Sequence, residues 1–224
     1  MTTSLITGAN RGIGLELVRG LRARGDQVIA VVRRSSPELD ATGARVIADI
    51  DVADDASVAR LDAALGDAQL DLVVNNAGVL EPDSIGHLDL DAVRKQFEIN
   101  ALGPLRVTAA LLPRLSAGSK VALITSRMGS IADNGSGGSY GYRMSKAALN
   151  MAGVSLARDL AGRGIAVVLL HPGMVATDMT ARFGDAKGMQ RADDSASRLI
   201  ARIDELTLAT SGRFVHANGE PLPW

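Results

Sequence analysis

Thr7-Gly8-Ala9-Asn10-Arg11-Gly12-Ile13-Gly14 decides how this chain is read. The stretch follows a short apolar run, Ser4–Thr7, and opens a helical pattern, Gly12–Arg24, in which Leu15, Val18 and Leu21 recur on one face. Glycines at such a turn let the backbone approach a bound group closely. A helix N-terminus adds unpaired N–H groups and positive potential, and the two together hold a pyrophosphate. The spacing is G-x-x-x-G-x-G rather than the common G-x-G-x-x-G. A plain tight turn is the other reading. Its place between a first strand and a first helix favours the phosphate site.

Outward from this turn, short apolar runs alternate with longer helical patterns. Ser4–Thr7, Gln27–Val32, Arg45–Ala48, Leu70–Asn75, Lys120–Thr125, Ile165–His171 and Arg213–His216 read as strands. They are rich in Val, Ile and Leu and mostly lack strict alternation, as strands covered on both faces do. Gly12–Arg24, Ala56–Leu65, Leu90–Leu115, Tyr142–Ala161 and Asp193–Glu205 read as helices, the last with Asp193 or Asp194 as its cap. The alternation predicts one α/β domain over residues 1–224, a doubly wound, mostly parallel seven-stranded sheet with helices on both faces. Two long connections stand out. Ser130–Gly141 contains Asp-Asn-Gly-Ser-Gly-Gly, and Thr177–Ala192, without a clear period, holds Met179, Phe183 and Met189. The second is expected to be a flexible substrate loop, a merely tolerated insertion being the plain alternative.

Composition narrows the function. The 224 residues carry a net charge of −1, 46% hydrophobic and 22% charged residues, and 24 glycines. That is the make-up of an ordinary folded chain with many backbone turns. Without cysteine there is no disulfide, thiolate metal site or cysteine nucleophile. Near-neutral charge and 3% aromatic residues argue against nucleic acid as a partner. No apolar run approaches the ~20 residues of a membrane span, and Met1–Gly8 has no positive region of a signal peptide. A cytoplasmic protein is expected. His87, His171 and His216 are scattered, so no metal site is expected.

The chemical end is read from spacing. Tyr142 and Lys146 stand four apart, which on a helix puts them on one face. A nearby ammonium favours phenolate and is expected to lower the phenol's pKa from about 10, making it a proton donor or acceptor for a substrate oxygen. Tyr140 has Met144 at the same offset and lacks the cation. Ser126 ends the fifth strand, at the carboxyl edge where open parallel sheets bind ligands, and its hydroxyl is placed to stabilise developing negative charge. Ser130 is its rival, nearer Tyr142 in sequence. Asn100 interrupts an apolar helical stretch, and Gly103-Pro104 marks a local break after it. The second strand ends Val31-Val32-Arg33-Arg34, with Val32 where an acid would bind the ribose hydroxyls. Arginine there grips a 2′-phosphate instead, with Arg11 as a second contact, unless both are plain surface charges.

Taken in order, Thr7–Gly14, Asn75-Asn76-Ala77-Gly78, Asn100, Ser126, Tyr142-x-x-x-Lys146 and Pro172-Gly173-x-Val175-x-Thr177-Asp178 resemble the short-chain dehydrogenase/reductase family over nearly the whole chain. The ending from Gly212 to Trp224, with Asn218-Gly219-Glu220-Pro221, looks like the family's C-factor-like branch. The resemblance implies an NADPH-dependent oxidoreductase interconverting a small-molecule ketone or aldehyde and an alcohol, NADPH preferred over NADH. It implies catalytic roles for Asn100, Ser126, Tyr142 and Lys146, Asn100 through a water beside Lys146. The cofactor would be held by Gly8, Asn10, Arg11, Gly12, Ile13, Gly14, Arg33, Asp51 (Asp49 being its rival), Val52, Asn76, Ala77, Gly78, Tyr142, Lys146, Pro172, Gly173, Val175 and Thr177. Arg127, Met128, Met174, Phe183 and Met189 would shape the substrate pocket, the methionines being equally suited to filling core. A homodimer or homotetramer is implied as well. The alternative is a C-factor-type signalling protein that binds the cofactor without significant turnover. A sugar-nucleotide epimerase of the extended branch is disfavoured, because its turn and extra domain are missing.

Overall fold

The computed structural model describes residues 2–181 and 188–224. Seven strands form one sheet: β1 (Thr3–Thr7), β2 (Gln27–Val31), β3 (Arg45–Ile47), β4 (Leu70–Asn75), β5 (Leu115–Ile124), β6 (Ala166–His171) and β7 (Phe214–His216). Their order is β3-β2-β1-β4-β5-β6-β7, with every pairing parallel. The helices are α1 (Gly12–Ala23), α2 (Pro37–Asp40), α3 (Asp55–Leu65), α4 (Leu90–Phe97), α5 (Gly103–Leu111), α6 (Tyr140–Ala161) and α7 (Ala192–Asp204). The fold is the expected doubly wound α/β sheet. Successive strand residues feed opposite layers: Leu5, Val73, Leu123 and Leu169 pack with Leu61 of α3, Leu111 of α5 and Leu149 of α6. Ile6, Val74, Ala122 and Leu170 pack with Leu17 and Leu21 of α1 and Leu199 of α7. Both faces are therefore covered, which is why the strands lack a polar alternate.

Strand order reverses between β1 and β4. The crevice at their carboxyl ends is the ligand position in this architecture. Thr7 and Asn76 tie the two ends together. Thr7 Oγ1 accepts the N–H of Asn76 and of Ala77, each at 3.1 Å, and Asn76 Nδ2 donates to the carbonyls of Thr7 and Gly8, each at 3.1 Å.

Three expectations need correction, and one element is new. The helix expected over Leu90–Leu115 is two helices, α4 and α5, joined by a wider π-helical turn, Glu98–Leu102, ahead of Gly103-Pro104. β5 begins at Leu115 rather than Lys120. The strand picks up Leu70 as a partner across a register shift before the regular pairs start. Asp193 and Asp194 lie in the first turn of α7, and its cap position is Arg191, so neither caps it. The short α2, capped by the Ser36 side chain with Pro37 at its first position, was not foreseen. No helix among the described residues is long and apolar enough to cross a membrane.

Candidate active site

The glycine turn leaves no room for side chains. A Cβ on Gly14 would lie 2.3 Å from the Gly8 carbonyl oxygen, and one on Gly8, at φ +65°, would lie 2.7 Å from Ala77 Cα. The first turn of α1 carries no acidic residue, and among the described residues no side chain caps it. Its N–H groups thus face the crevice with the positive end of the helix behind them. Such a turn, with its unspent donors, fits the diphosphate of a dinucleotide.

Around the turn stand the other expected contacts. Ser36 Oγ donates to the Asn10 carbonyl at 2.8 Å, drawing the loop after β2 against the turn. In that loop Arg33 and Arg34 are exposed and, among the described residues, make no ion pair. Arg11 reaches the other way, pairing with Asp178 at 3.0 Å, both ends largely exposed. Asp51 accepts the Ala53 N–H at 2.9 Å, and Val52 is buried beside it. Its rival Asp49 is exposed, in a left-handed conformation at φ 59°. Pro172, Gly173, Val175 and Thr177 continue from β6, and Val175 is bridged to Gln190. Phe183, and residues 182–187 of the expected substrate loop, lie outside the described residues.

Tyr142 and Lys146 are both buried on the first turns of α6, with the Lys146 ammonium 5.8 Å from the centre of the Tyr142 ring. Lys146 Nζ donates to the carbonyl of Ile124, the last residue of β5, at 2.8 Å. Ser126, two residues on, lies near enough to the Tyr142 hydroxyl to lower its pKa, and its own hydroxyl accepts the Met128 N–H at 3.2 Å. Ser130 is committed elsewhere: its hydroxyl accepts the Asp133 N–H at 3.0 Å. Tyr140 is partly exposed at the helix start.

The electrostatics differ from the expectation. Burial pushes the Tyr142 phenol up to about 12, with the Ser126 hydrogen bond pulling it partly back. Burial pushes Lys146 down to about 8. Desolvation is the dominant cause, so the phenol is held protonated at neutral pH rather than tuned toward phenolate. His171 is pushed down to about 3 by burial, then by His216 and Arg127. It is a neutral ring packed edge-on against His216, their centres 5.0 Å apart.

Asn100 sits in the π-helical turn, fully buried. Its Oδ1 accepts the Val79 N–H at 2.8 Å, and its Nδ2 donates to the Val79 carbonyl at 2.9 Å and to Ser145 Oγ at 3.0 Å. Both amide donors are thereby spent. Gln96, one turn earlier, grips Glu81 in the same way: its Oε1 accepts the Glu81 N–H at 3.1 Å and its Nε2 donates to the Glu81 carbonyl at 3.3 Å. Gln96 was missed by sequence reasoning. Its place four residues before Asn100 was the only sequence signal, and that spacing alone does not tell a buried amide from an exposed one.

Comparisons with known proteins agree with this geometry. The family model described as short chain dehydrogenase matches residues 2–188. The chain is 46% identical, over the full length of both, to the 1-hydroxy-2-glutathionyl-2-methyl-3-butene dehydrogenase of Rhodococcus sp. (strain AD45). It is 48% identical to the C-signal of Myxococcus xanthus over 69% of this chain and 93% of that one. An NADPH-bound carbonyl reductase from chicken fatty liver superposes with a TM-score of 0.91 at 30% identity, covering 100% of this chain and 99% of the other. With its sheet, its glycine turn and its buried Ser126–Tyr142–Lys146 cluster in one crevice, the chain belongs to the short-chain dehydrogenase/reductase family, on its C-factor-like branch, and is an oxidoreductase.

Proposed function

We propose that this oxidoreductase interconverts a carbonyl group and an alcohol with NADPH, and that Tyr142 exchanges the proton with the substrate oxygen. The observation that carries the reading is the buried phenol standing beside Ser126 and the Lys146 ammonium. These groups stand at the same sheet edge as a turn fitted to a diphosphate. When bound, the reduced nicotinamide supplies hydride to the carbonyl carbon. Ser126 donates a hydrogen bond to the substrate oxygen and sets its position. Tyr142, protonated at neutral pH, gives up its proton as negative charge develops there. Lys146 stabilises the buried phenolate that remains, and would also hold the nicotinamide ribose. Asn100 secures the segment facing them through Val79 and Ser145. Gly8 to Gly14, Asn76 to Gly78, Asp51 and Val52, and Pro172 to Thr177 would hold the rest of the cofactor. Exposed Leu105 on α5 and Met151 on α6 support a homo-oligomer.

The test is a screen for NADPH oxidation with aldehydes, ketones and quinones, and in the reverse direction for NADP+ reduction with glutathionyl alcohols. NADPH binding without turnover on any class would favour the second reading, suggested by the likeness to C-signal. Cofactor choice is read from Arg33. A charge-assisted contact to the 2′-phosphate is worth about 1.5–3 kcal/mol, so Arg33→Asp is expected to erase about tenfold to hundredfold of the NADPH preference in kcat/KM. Equal preference in wild type and variant would remove the argument.

The pH profile follows from the two buried groups. Lys146 is lowered to about 8, so its ammonium is present below that pH and lost above it, while Tyr142 stays protonated up to about 12. Reductive kcat/KM is expected to be level below about pH 8 and to fall above it. A profile flat to about pH 10 would show that the Lys146 charge is not required.

A further inference from the structure

The helix that carries Tyr142 begins without a cap of its own. Ser139, at its cap position, is held in the left-handed region at φ 49°, and among the described residues its side chain caps nothing. A carboxylate from 57 residues upstream takes its place. Asp83 Oδ1 accepts the Tyr140 N–H, Asp83 Oδ2 accepts the Gly141 N–H at 2.8 Å, and the Asp83 carbonyl accepts the Ser139 N–H at 3.0 Å. Three successive N–H groups at the start of α6 are therefore bound by one residue. A Cβ on Gly141 would lie 2.5 Å from Gln96 Nε2 and 3.1 Å from both Asp83 Oδ2 and Val93 Cα, so the helix start is seated tightly on α4 and this segment.

Asp83 is itself at the end of an anchored stretch. Asn100 grips Val79 and Gln96 grips Glu81, each through both backbone groups, two residues apart on an extended segment. Buried side chains thus fix the height at which Asp83 meets α6, and Tyr142 is one residue beyond the last N–H it holds. From the other side, Ser145 Oγ donates to the Tyr142 carbonyl at 2.8 Å while accepting from Asn100.

We infer that Asp83 is a positioning residue for the reaction, a cap supplied in trans that sets where the Tyr142 phenol stands relative to Ser126. The inference rests on the proposed role of Tyr142. Losing an N-cap frays a helix start, and a misplacement of ~1 Å at reacting groups costs up to ~10²-fold in rate.

The experiment compares wild type, Asp83→Ala, Asp83→Asn and Tyr142→Phe, all with bound NADPH. Turnover is measured on 4-nitrobenzaldehyde, with amide hydrogen exchange over residues 138–146 as a readout that needs no substrate. Asp83→Ala is expected to lower kcat about tenfold to hundredfold with KM and NADPH Kd within about threefold, and to speed exchange from Tyr140 through Met144. Asp83→Asn, which keeps one acceptor, is expected to recover part of kcat. A merely structural cap would lower Tm and leave kcat per folded enzyme unchanged. That result, or unchanged exchange at Tyr140–Met144 in Asp83→Ala, overturns the inference. If Tyr142→Phe turns over like wild type, the reading of Tyr142 fails instead. If wild type does not reduce 4-nitrobenzaldehyde, kcat is compared on a carbonyl compound found by the NADPH screen, and if it reduces none the reading of Tyr142 fails and the inference with it.

Discussion

Tyr142→Phe is expected to lower kcat by about 10²–10⁴-fold while leaving NADPH affinity within about twofold. The substitution removes one oxygen. The ring stays packed in the buried first turns of α6, and Lys146 keeps its hydrogen bond to the Ile124 carbonyl. Ser126 keeps the Met128 N–H as a partner, so little of the fold changes. Stability should move by no more than about 1 kcal/mol, the usual worth of one buried hydrogen bond. What disappears is the proposed proton donor. Stopped-flow NADPH oxidation for rate and nucleotide fluorescence for affinity separate the two effects. A variant within tenfold of wild type would place the proton source elsewhere, and Tyr140, partly exposed and lacking a lysine one turn on, would not replace it.

Gly14→Ala is expected to weaken NADPH binding by about hundredfold or more and to cost about 1–3 kcal/mol of stability. The new methyl would stand 2.3 Å from the Gly8 carbonyl oxygen and 2.5 Å from Asn76 Nδ2. Neither neighbour yields easily. The first is backbone in a left-handed turn, and the second holds two carbonyls at the β1 end. The turn must open, and the N–H groups of α1 lose their common aim. Gly86→Ala is the control: it has a loop position, open space around it and an ordinary φ, so both quantities should stay near wild type. Fluorescence titration with NADPH and thermal melts check both. Unaltered affinity in Gly14→Ala would mean that the turn is not the phosphate site.

Much of this was legible because it is local. The strands announce themselves as apolar runs, and both sheet faces are covered as their composition implies. Tyr142 and Lys146 share a helix face because they are four apart, which no tertiary contact can undo. Ser126 was preferred over Ser130 because it directly follows an apolar strand; the structure sets it near Tyr142 and commits Ser130 to Asp133, while Ser126→Ala against Ser130→Ala would test the choice. What escaped depends on distance through space. Lys146 was expected to depress the phenol, but how deeply the two are buried is a property of the packed sheet and helices, and burial is the larger effect. Asp83 and Gln96 look like ordinary polar residues in sequence, because their partners are Tyr140 and Gly141 in one case and Glu81 in the other. The turn at Glu98–Leu102 was only half visible. Gly103-Pro104 marked a break, but not the wide coil that turns Asn100 inward.

The paired amide grip on Val79 and Glu81 has a consequence for where the chain can be altered. Because the backbone is pinned up to Asp83, the stretch from Ser84 to Leu88 hangs outside the pinned portion, with Ile85 and Leu88 facing solvent. Insertions placed there are expected to leave the start of α6 where it stands. The same insertions moved a few residues upstream would break its seat, so position 83 marks where the chain stops tolerating change.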